Sequence, residues 1–278
     1  MKRITLATAL LFAATSTFAS ERIISAGAAI TEIINAMDAQ EQLVAVDVTS
    51  KSMVDKDMPV LGYHRQLSAE SLIALNPTRL LGSNEMGPQS TLDLLKQAGI
   101  EVDVLNSGET VEDLMVRIEQ VGELTDTSDK AVELQKDVEA KVAAINANLE
   151  NQDRKKKVLF LMIHDGRPAN VAGRNTTADT VIRLAGAINP AADAVESYKP
   201  VSLEAMVQMQ PDIILLSSRT MSKIGSADEL LKQMPLLAAT PAGQNKALAM
   251  IDGTALIGGL GLKSLSEAER LNSVFYKK

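Results

Sequence analysis

The chain has 278 residues, 46% hydrophobic and 23% charged, and its 28 basic side chains face 35 acidic ones. That is the composition of one large or two modest globular domains. A net charge of −7 argues against nucleic acid or anionic lipid as a partner of the overall field, and the absence of cysteine excludes disulfides, thiolate metal sites and a cysteine nucleophile.

The N-terminus opens with Met1-Lys2-Arg3, continues with the mostly apolar stretch Ile4 to Ala14, and reaches small residues at Thr17-Phe18-Ala19. This pattern predicts a secretory signal peptide over residues 1–19, cleaved after Ala19 and too short to span a membrane. Cleavage removes Lys2 and Arg3, so the 259 remaining residues carry 26 basic and 35 acidic side chains, a net −9. No later segment reaches the roughly 18 consecutive apolar residues of a spanning helix. The expectation is a soluble product in a periplasm-like compartment, with no direct membrane insertion.

Arg22-Ile23-Ile24-Ser25 reads as a strand, followed by a small-residue turn and a helix from about Thr31 to Met37. The turn Ser25-Ala26-Gly27-Ala28-Ala29 has one glycine where a dinucleotide loop needs three. Next comes the loop Pro59 to Leu67, which holds Tyr63, His64 and Arg65 in succession. In extended backbone Tyr63 and Arg65 share one face and His64 takes the other. A phenol beside a guanidinium suits ferric iron, a hard cation that favours anionic oxygen, since nearby positive charge and the metal both favour phenolate. A half-buried tyrosine bonded locally leaves the same trace in the sequence.

An internal repeat follows. Leu67 to Leu81 aligns without a gap onto Val201 to Leu215 at an offset of 134 residues. Each copy reads as a serine N-cap (Ser68, Ser202), an acid in the first turn (Glu70, Glu204), a short amphipathic helix, a proline stop and a buried strand. The two acids favour the helix dipole, by about 0.3–1 kcal/mol each. Alternatively, they form a pair, one per half, for docking onto arginines of a partner. So long a period implies two similar lobes.

Residues 126–153 lack glycine and proline, and Val132, Leu134, Val138, Val142, Ile145 and Leu149 recur at helical spacing. This predicts one helix of about 24 residues, roughly 36 Å long, acting as a strut between the halves. Arg154-Lys155-Lys156-Lys157 reads as its solvated end.

The second half begins with a strand over Lys157–Ile163, and His164 follows at its carboxyl end, before Asp165-Gly166 and a longer loop. Neutral imidazole ligates iron, and Asp165 can orient it. A turn histidine with a structural role fits the same spacing. Arg174 lies in Ala172-Gly173-Arg174-Asn175-Thr176, just before a helix over Thr177–Ala185 closed by Gly186, where it is placed either to bind a carboxylate or to sit in solvent. Tyr198 precedes the second repeat helix as Tyr63 precedes the first, and reads as its structural counterpart. The stretch Gly258-Gly259-Leu260-Gly261-Leu262-Lys263-Ser264 is read as turns, with no long helix evident after it. Alternating strands and helices argue for an α/β fold with parallel sheets, whose ligands bind beyond the carboxyl ends of the strands.

Several of these segments carry a family resemblance: Leu61 to Glu70, Ala172 to Asp179 with Leu184-Ala185-Gly186, Leu236 to Ala242, and Met250-Ile251-Asp252-Gly253 with the glycines at 258–261. Through them the chain resembles the haemin-binding periplasmic proteins of bacterial ABC importers, over nearly its whole length. The resemblance implies two Rossmann-like lobes with mainly parallel sheets joined by one long α-helix, a class III periplasmic binding protein. The expected division is signal peptide 1–19, first lobe 20–125, interdomain helix 126–153 and second lobe 154–278. It further implies that Tyr63 is an axial ligand of haem iron. In some relatives a histidine of the second lobe takes the opposite face, and His164 stands at that place. Glu70 and Glu204 become the contacts to the permease. Where the family often has arginine or proline near the last glycines, this chain has Leu262-Lys263.

The resulting expectation is a monomeric periplasmic carrier, not an enzyme. It binds haem b as transported ligand and delivers it to an ABC transporter permease with its ATPase. Tyr63 and His164 hold the iron. Arg65 supports the phenolate or meets a propionate, and Arg174 meets the other. Aliphatic and methionine side chains cover the porphyrin, because aromatic residues are scarce. The alternatives are a carrier of a ferric siderophore or corrinoid, whose metal is already ligated, and an exported hydrolase using His164 and Asp165, for which no nucleophile motif is present.

Overall fold

The computed structural model describes residues 21–150, 152–163 and 166–276. The expected signal peptide, His164 and Asp165 lie outside the described residues. The first lobe contains β1 (Ile23–Ala26), α1 (Ala28–Ala36), β2 (Leu43–Val46), α2 (Ala69–Ile73), β3 (Arg79–Ser83), α3 (Gln89–Gln97), β4 (Glu101–Leu105) and α4 (Val111–Leu124). The long helix α5 (Ser128–Leu149) leads to the second lobe. There follow β5 (Val158–Met162), β6 (Asn170–Ala172), α6 (Thr177–Leu184), β7 (Tyr198–Pro200), α7 (Leu203–Gln208) and β8 (Ile213–Ser217). The chain closes with α8 (Ser218–Ile224), α9 (Ala227–Gln233), α10 (Pro241–Gln244), β9 (Leu248–Ile251) and α11 (Leu262–Phe275).

The first sheet runs β2-β1-β3-β4, parallel throughout. The second runs β7-β6-β5-β8-β9, in which β5, β8 and β9 are parallel and β6 is antiparallel to both its neighbours. Central strands such as β1 (Ile-Ile-Ser-Ala) and β5 (Val-Leu-Phe-Leu-Met) are nearly unbroken apolar runs because helices cover both faces of a parallel sheet.

The repeat is structural. β3 and β8 begin and end at the 134-residue offset, and so do two left-handed residues ahead of the prolines, Asn76 (φ 46°) and Gln210 (φ 45°). The N-caps differ. Ser202 accepts from the Ala205 N–H at 3.2 Å, whereas Ser68 makes no cap bond.

Two expectations fail. The stretch after β5, read as a loop, contains β6, and α11 of 14 residues follows the glycine cluster directly. Its many polar residues conceal the buried face formed by Leu265, Ala268, Leu271 and Phe275.

One apolar cluster passes through both lobes, including Ile33 and Leu81 of the first, Val138 and Ile145 of α5, and Phe160 and Leu271 of the second. The outer sheet faces carry their own clusters, around Leu80 and Leu95 and around Leu159 and Leu216. Helix α5 packs against α4 and α11 along its length, so it is held by both lobes and is not a bare connector.

Candidate functional site

The Tyr63 loop runs along the carboxyl end of β2. The Leu61 N–H donates to the Val46 carbonyl at 2.8 Å, and the Val48 N–H donates to Gly62 at 3.4 Å. A 3₁₀ turn, His64–Gln66, then sorts the three candidate side chains. Tyr63 is 40% exposed and Arg65 is exposed, while His64 is buried at 1%. The backbone is turned, not extended, yet tyrosine and arginine still face out and histidine faces in. Val48 and Val60, on the same strand end, are also exposed.

Beneath Tyr63 lies a charged network. His64 Nδ1 stands 2.8 Å from Asp47 Oδ2, and Nε2 stands 3.7 Å from Glu85 Oε2. Asp47, fully buried, also accepts from the Gly27 N–H at 3.2 Å, from Thr49 Oγ1 at 2.8 Å and from Ser50 Oγ at 3.0 Å. Burial by itself lowers the His64 pKa, but the hydrogen bond to Asp47 and the charges of Asp47 and Glu85 outweigh it and push it up to about 9. The bonds from His64, Thr49 and Ser50 overcome burial at Asp47 and hold its carboxyl below the usual range, and the nearby His64 and Arg65 lower Glu85 likewise. Arg65 is ion-paired with Glu85.

In the second lobe a cavity of about 590 Å³ opens at the carboxyl ends of β5, β8 and β9. Phe160, Met162, Ile163 and Ile257 give it apolar walls, and Arg219 and Lys223 give it cations. Tyr198 also lines it, its ring set edge-on to Phe160 at 6.3 Å between centroids. Burial pushes the Tyr198 phenol up to about 12. Asp252 at the rim is neutralised by Lys263, 2.7 Å away.

The two strand-end regions converge on residues 258–261. Gly258 packs on Ala29, just beyond β1, and Leu260 N–H donates to Gly108, just beyond β4, at 3.3 Å. Gly259 has φ +84°, and a Cβ there would fall 2.5 Å from the Ser107 carbonyl, so only glycine permits this approach.

Residues 23–255 match the family model described as Periplasmic binding protein. The chain belongs to this family. Its two lobes of mainly parallel sheet, joined by one long helix, are those of class III. Among solved structures it is similar to the periplasmic heme binding protein HutB of Vibrio cholerae, at 50% identity and a TM-score of 0.87, covering 93% of this chain and 100% of that one. It is also similar to the periplasmic heme-binding protein RhuT from Roseiflexus sp. RS-1, at 34% identity and a TM-score of 0.83, covering 93% and 98%. Among curated proteins it is similar to the Vitamin B12-binding protein of Vibrio parahaemolyticus serotype O3:K6, 26% identical over 218 residues, 78% of each chain. Family and neighbours alike are binding proteins.

Within this periplasmic binding protein the expected site residues divide. Tyr63 and Arg65 stand together at the first lobe's strand ends. His164 is outside the described residues, but Ile163, its neighbour in sequence, lines the second lobe's cavity. Arg174 does not line that cavity. Because β6 runs antiparallel to β5, the chain beyond Ala172 travels away from the carboxyl end of β5. Arg174 is instead paired with Glu196 at 3.1 Å, and the α6 N-terminus is capped by Thr176, which accepts from the Asp179 N–H at 3.2 Å. Glu70 and Glu204 are exposed in the first turns of α2 and α7, and neither makes an ion pair among the described residues.

Sequence reasoning missed Asp47, Glu85 and Arg219. Asp47 carried one signal, its place immediately after a buried strand. Glu85 and Arg219 lie beyond the aligned repeat and carried none.

Proposed function

We propose that this protein carries haem, as haem b, through the periplasm to an inner-membrane ABC transporter, made of permease and ATPase, without converting it. The observation that carries the reading is Tyr63: an exposed phenol at the carboxyl end of a parallel sheet that also exposes Val48 and Val60, backed by a buried imidazole. A phenolate is the hard donor ferric iron favours, and the apolar surface suits a porphyrin face. His164, next to cavity-lining Ile163, is assigned the opposite axial position. Arg65 supports the phenolate or meets a propionate. Arg219, exposed at the cavity with no ion pair among the described residues, is better placed for the other propionate than Arg174. Aliphatic and methionine side chains, Met162 among them, cover the macrocycle. The similarity to HutB supports the same cargo.

A second reading is favoured by one observation, the similarity to Vitamin B12-binding proteins. A corrinoid brings its own metal ligands, and Tyr63 then touches no metal. An optical haemin titration separates the two. A ferric high-spin or mixed-spin spectrum altered by Tyr63→Ala is expected, with cyanocobalamin failing to compete. A spectrum and affinity untouched by Tyr63→Ala, with haemin displaced by cyanocobalamin, would overturn the haem reading. His164→Ala is expected to change the spectrum less than Tyr63→Ala.

A further inference from the structure

We infer that His64 is the positioning residue for Tyr63: bridged between Asp47 and Glu85, its ring forms the fixed backing that holds the phenol outwards. This rests on the reading of Tyr63 as the iron ligand.

An exposed tyrosine on a loop has two free side-chain torsions, and each orientation it samples away from the cargo weakens ligation. Main-chain bonds hold the loop itself. Gln66 N–H donates to the Tyr63 carbonyl at 2.7 Å, and Gly87 N–H donates to the His64 carbonyl at 2.9 Å. These bonds fix the backbone but not the phenol. Among the described residues the Tyr63 hydroxyl has no hydrogen-bond partner, and the Tyr63 ring stacks against His64, with centroids 4.3 Å apart and planes at 53°.

The His64 ring is held from two sides by groups that follow different strands, by a hydrogen bond to Asp47 at 2.8 Å and by the Glu85 carboxylate at 3.7 Å. Asp47 follows β2, and Glu85 lies two residues beyond the end of β3. The imidazole orientation is therefore set by the sheet and passed to the phenol by contact. Only histidine offers two opposed polar nitrogens and a flat ring in this volume. Leucine fills the space without anchors, and glutamine keeps an anchor without the ring.

The test uses the full chain with ¹³C-labelled tyrosine. The chain has only three tyrosines, and the Tyr63 signal is the one lost in Tyr63→Ala. In the cargo-free protein, His64→Gln is expected to shift the Tyr63 ring signal and leave those of Tyr198 and Tyr276 in place. With haemin bound, it should move the phenolate-to-iron charge-transfer band and lower affinity about tenfold to a hundredfold, the usual effect of losing a partner that orients a metal ligand. Glu85→Gln keeps the ring but loosens one anchor, and should give a smaller change in the same direction, which covers the case in which His64→Gln does not fold. An unmoved Tyr63 signal in either folded variant, or a wild-type band and affinity, would overturn the inference. If Tyr63→Ala itself leaves the band intact, it is the ligand reading that has failed, while the cargo-free spectra still decide whether His64 positions the ring.

Discussion

Tyr63 and Tyr198 stand in nearly matching places ahead of the two repeat helices, yet their surroundings give them opposite chemistry. Tyr198 is enclosed beside Phe160, and burial holds its phenol near 12, so it stays protonated and is a poor partner for iron. Tyr63 is exposed at a strand end. Its candidacy was legible in the loop Tyr63-His64-Arg65. The network under it was not, because Asp47 and Glu85 lie 17 and 21 residues from His64 in sequence. That network has a pH signature. The folded His64 pKa of about 9 lies above the ordinary 6.5, so its contribution is complete below about pH 6.5 and disappears as pH rises through 9. Asp47 and Glu85 are depressed, so theirs is complete above the ordinary carboxylate range and disappears as pH falls through the lowered values. Urea midpoints measured against pH should therefore decline between about pH 6.5 and 9 in the wild type, and this decline should be absent in His64→Gln. Equal alkaline losses in both proteins would assign the effect to other groups.

The repeated helix–proline–strand units were readable because a cap, a periodic helix and a proline stop are all local signals. β6 and β7 were not, since three-residue strands have no periodicity and exist by pairing with β5 and with each other. Nor was the joint between the lobes. Arg117 of α4 is wholly buried and donates to the Asn106 carbonyl at 2.8 Å and, across the joint, to the Leu260 carbonyl. From the other side Glu32 of α1 accepts from the Lys263 N–H at the start of α11, at 3.0 Å. Burial raises the Glu32 pKa, although the Lys263 and Leu262 amides and the Lys263 charge oppose it. Arg117→Met should lower unfolding stability by roughly 2 kcal/mol, because the buried Leu260 carbonyl and the half-buried Asn106 carbonyl lose their donor. Denaturant unfolding would show this, and a loss well under about 1 kcal/mol would mean that the carbonyls find other partners.

Glu70 and Glu204 mark the two lobes at equivalent repeat positions, exposed and without ion pairs among the described residues. α2 and α7 are each anchored on the outer cluster of their own lobe, through Leu72 and Met206, and the two lobes share a core with α5, an arrangement that suits contact with two basic sites on a partner. Reversing both charges, Glu70→Arg with Glu204→Arg, should reduce haem delivery to the reconstituted transporter by at least about tenfold, since like charges then meet at the contact. Haemin titration of the same variant should match the wild type. Impaired haemin binding would make the acids structural. The order of residues was enough to establish alternating strands and helices, two related halves, a linking helix and a tyrosine loop, because period, caps and stops act over a few neighbours. Folding settled which tyrosine is open, that His64 is enclosed by two acids, that Arg174 pairs with Glu196, and that Arg219 lines the cavity. Those outcomes depend on which distant side chains meet and on what excludes water from them, and no local pattern encodes either.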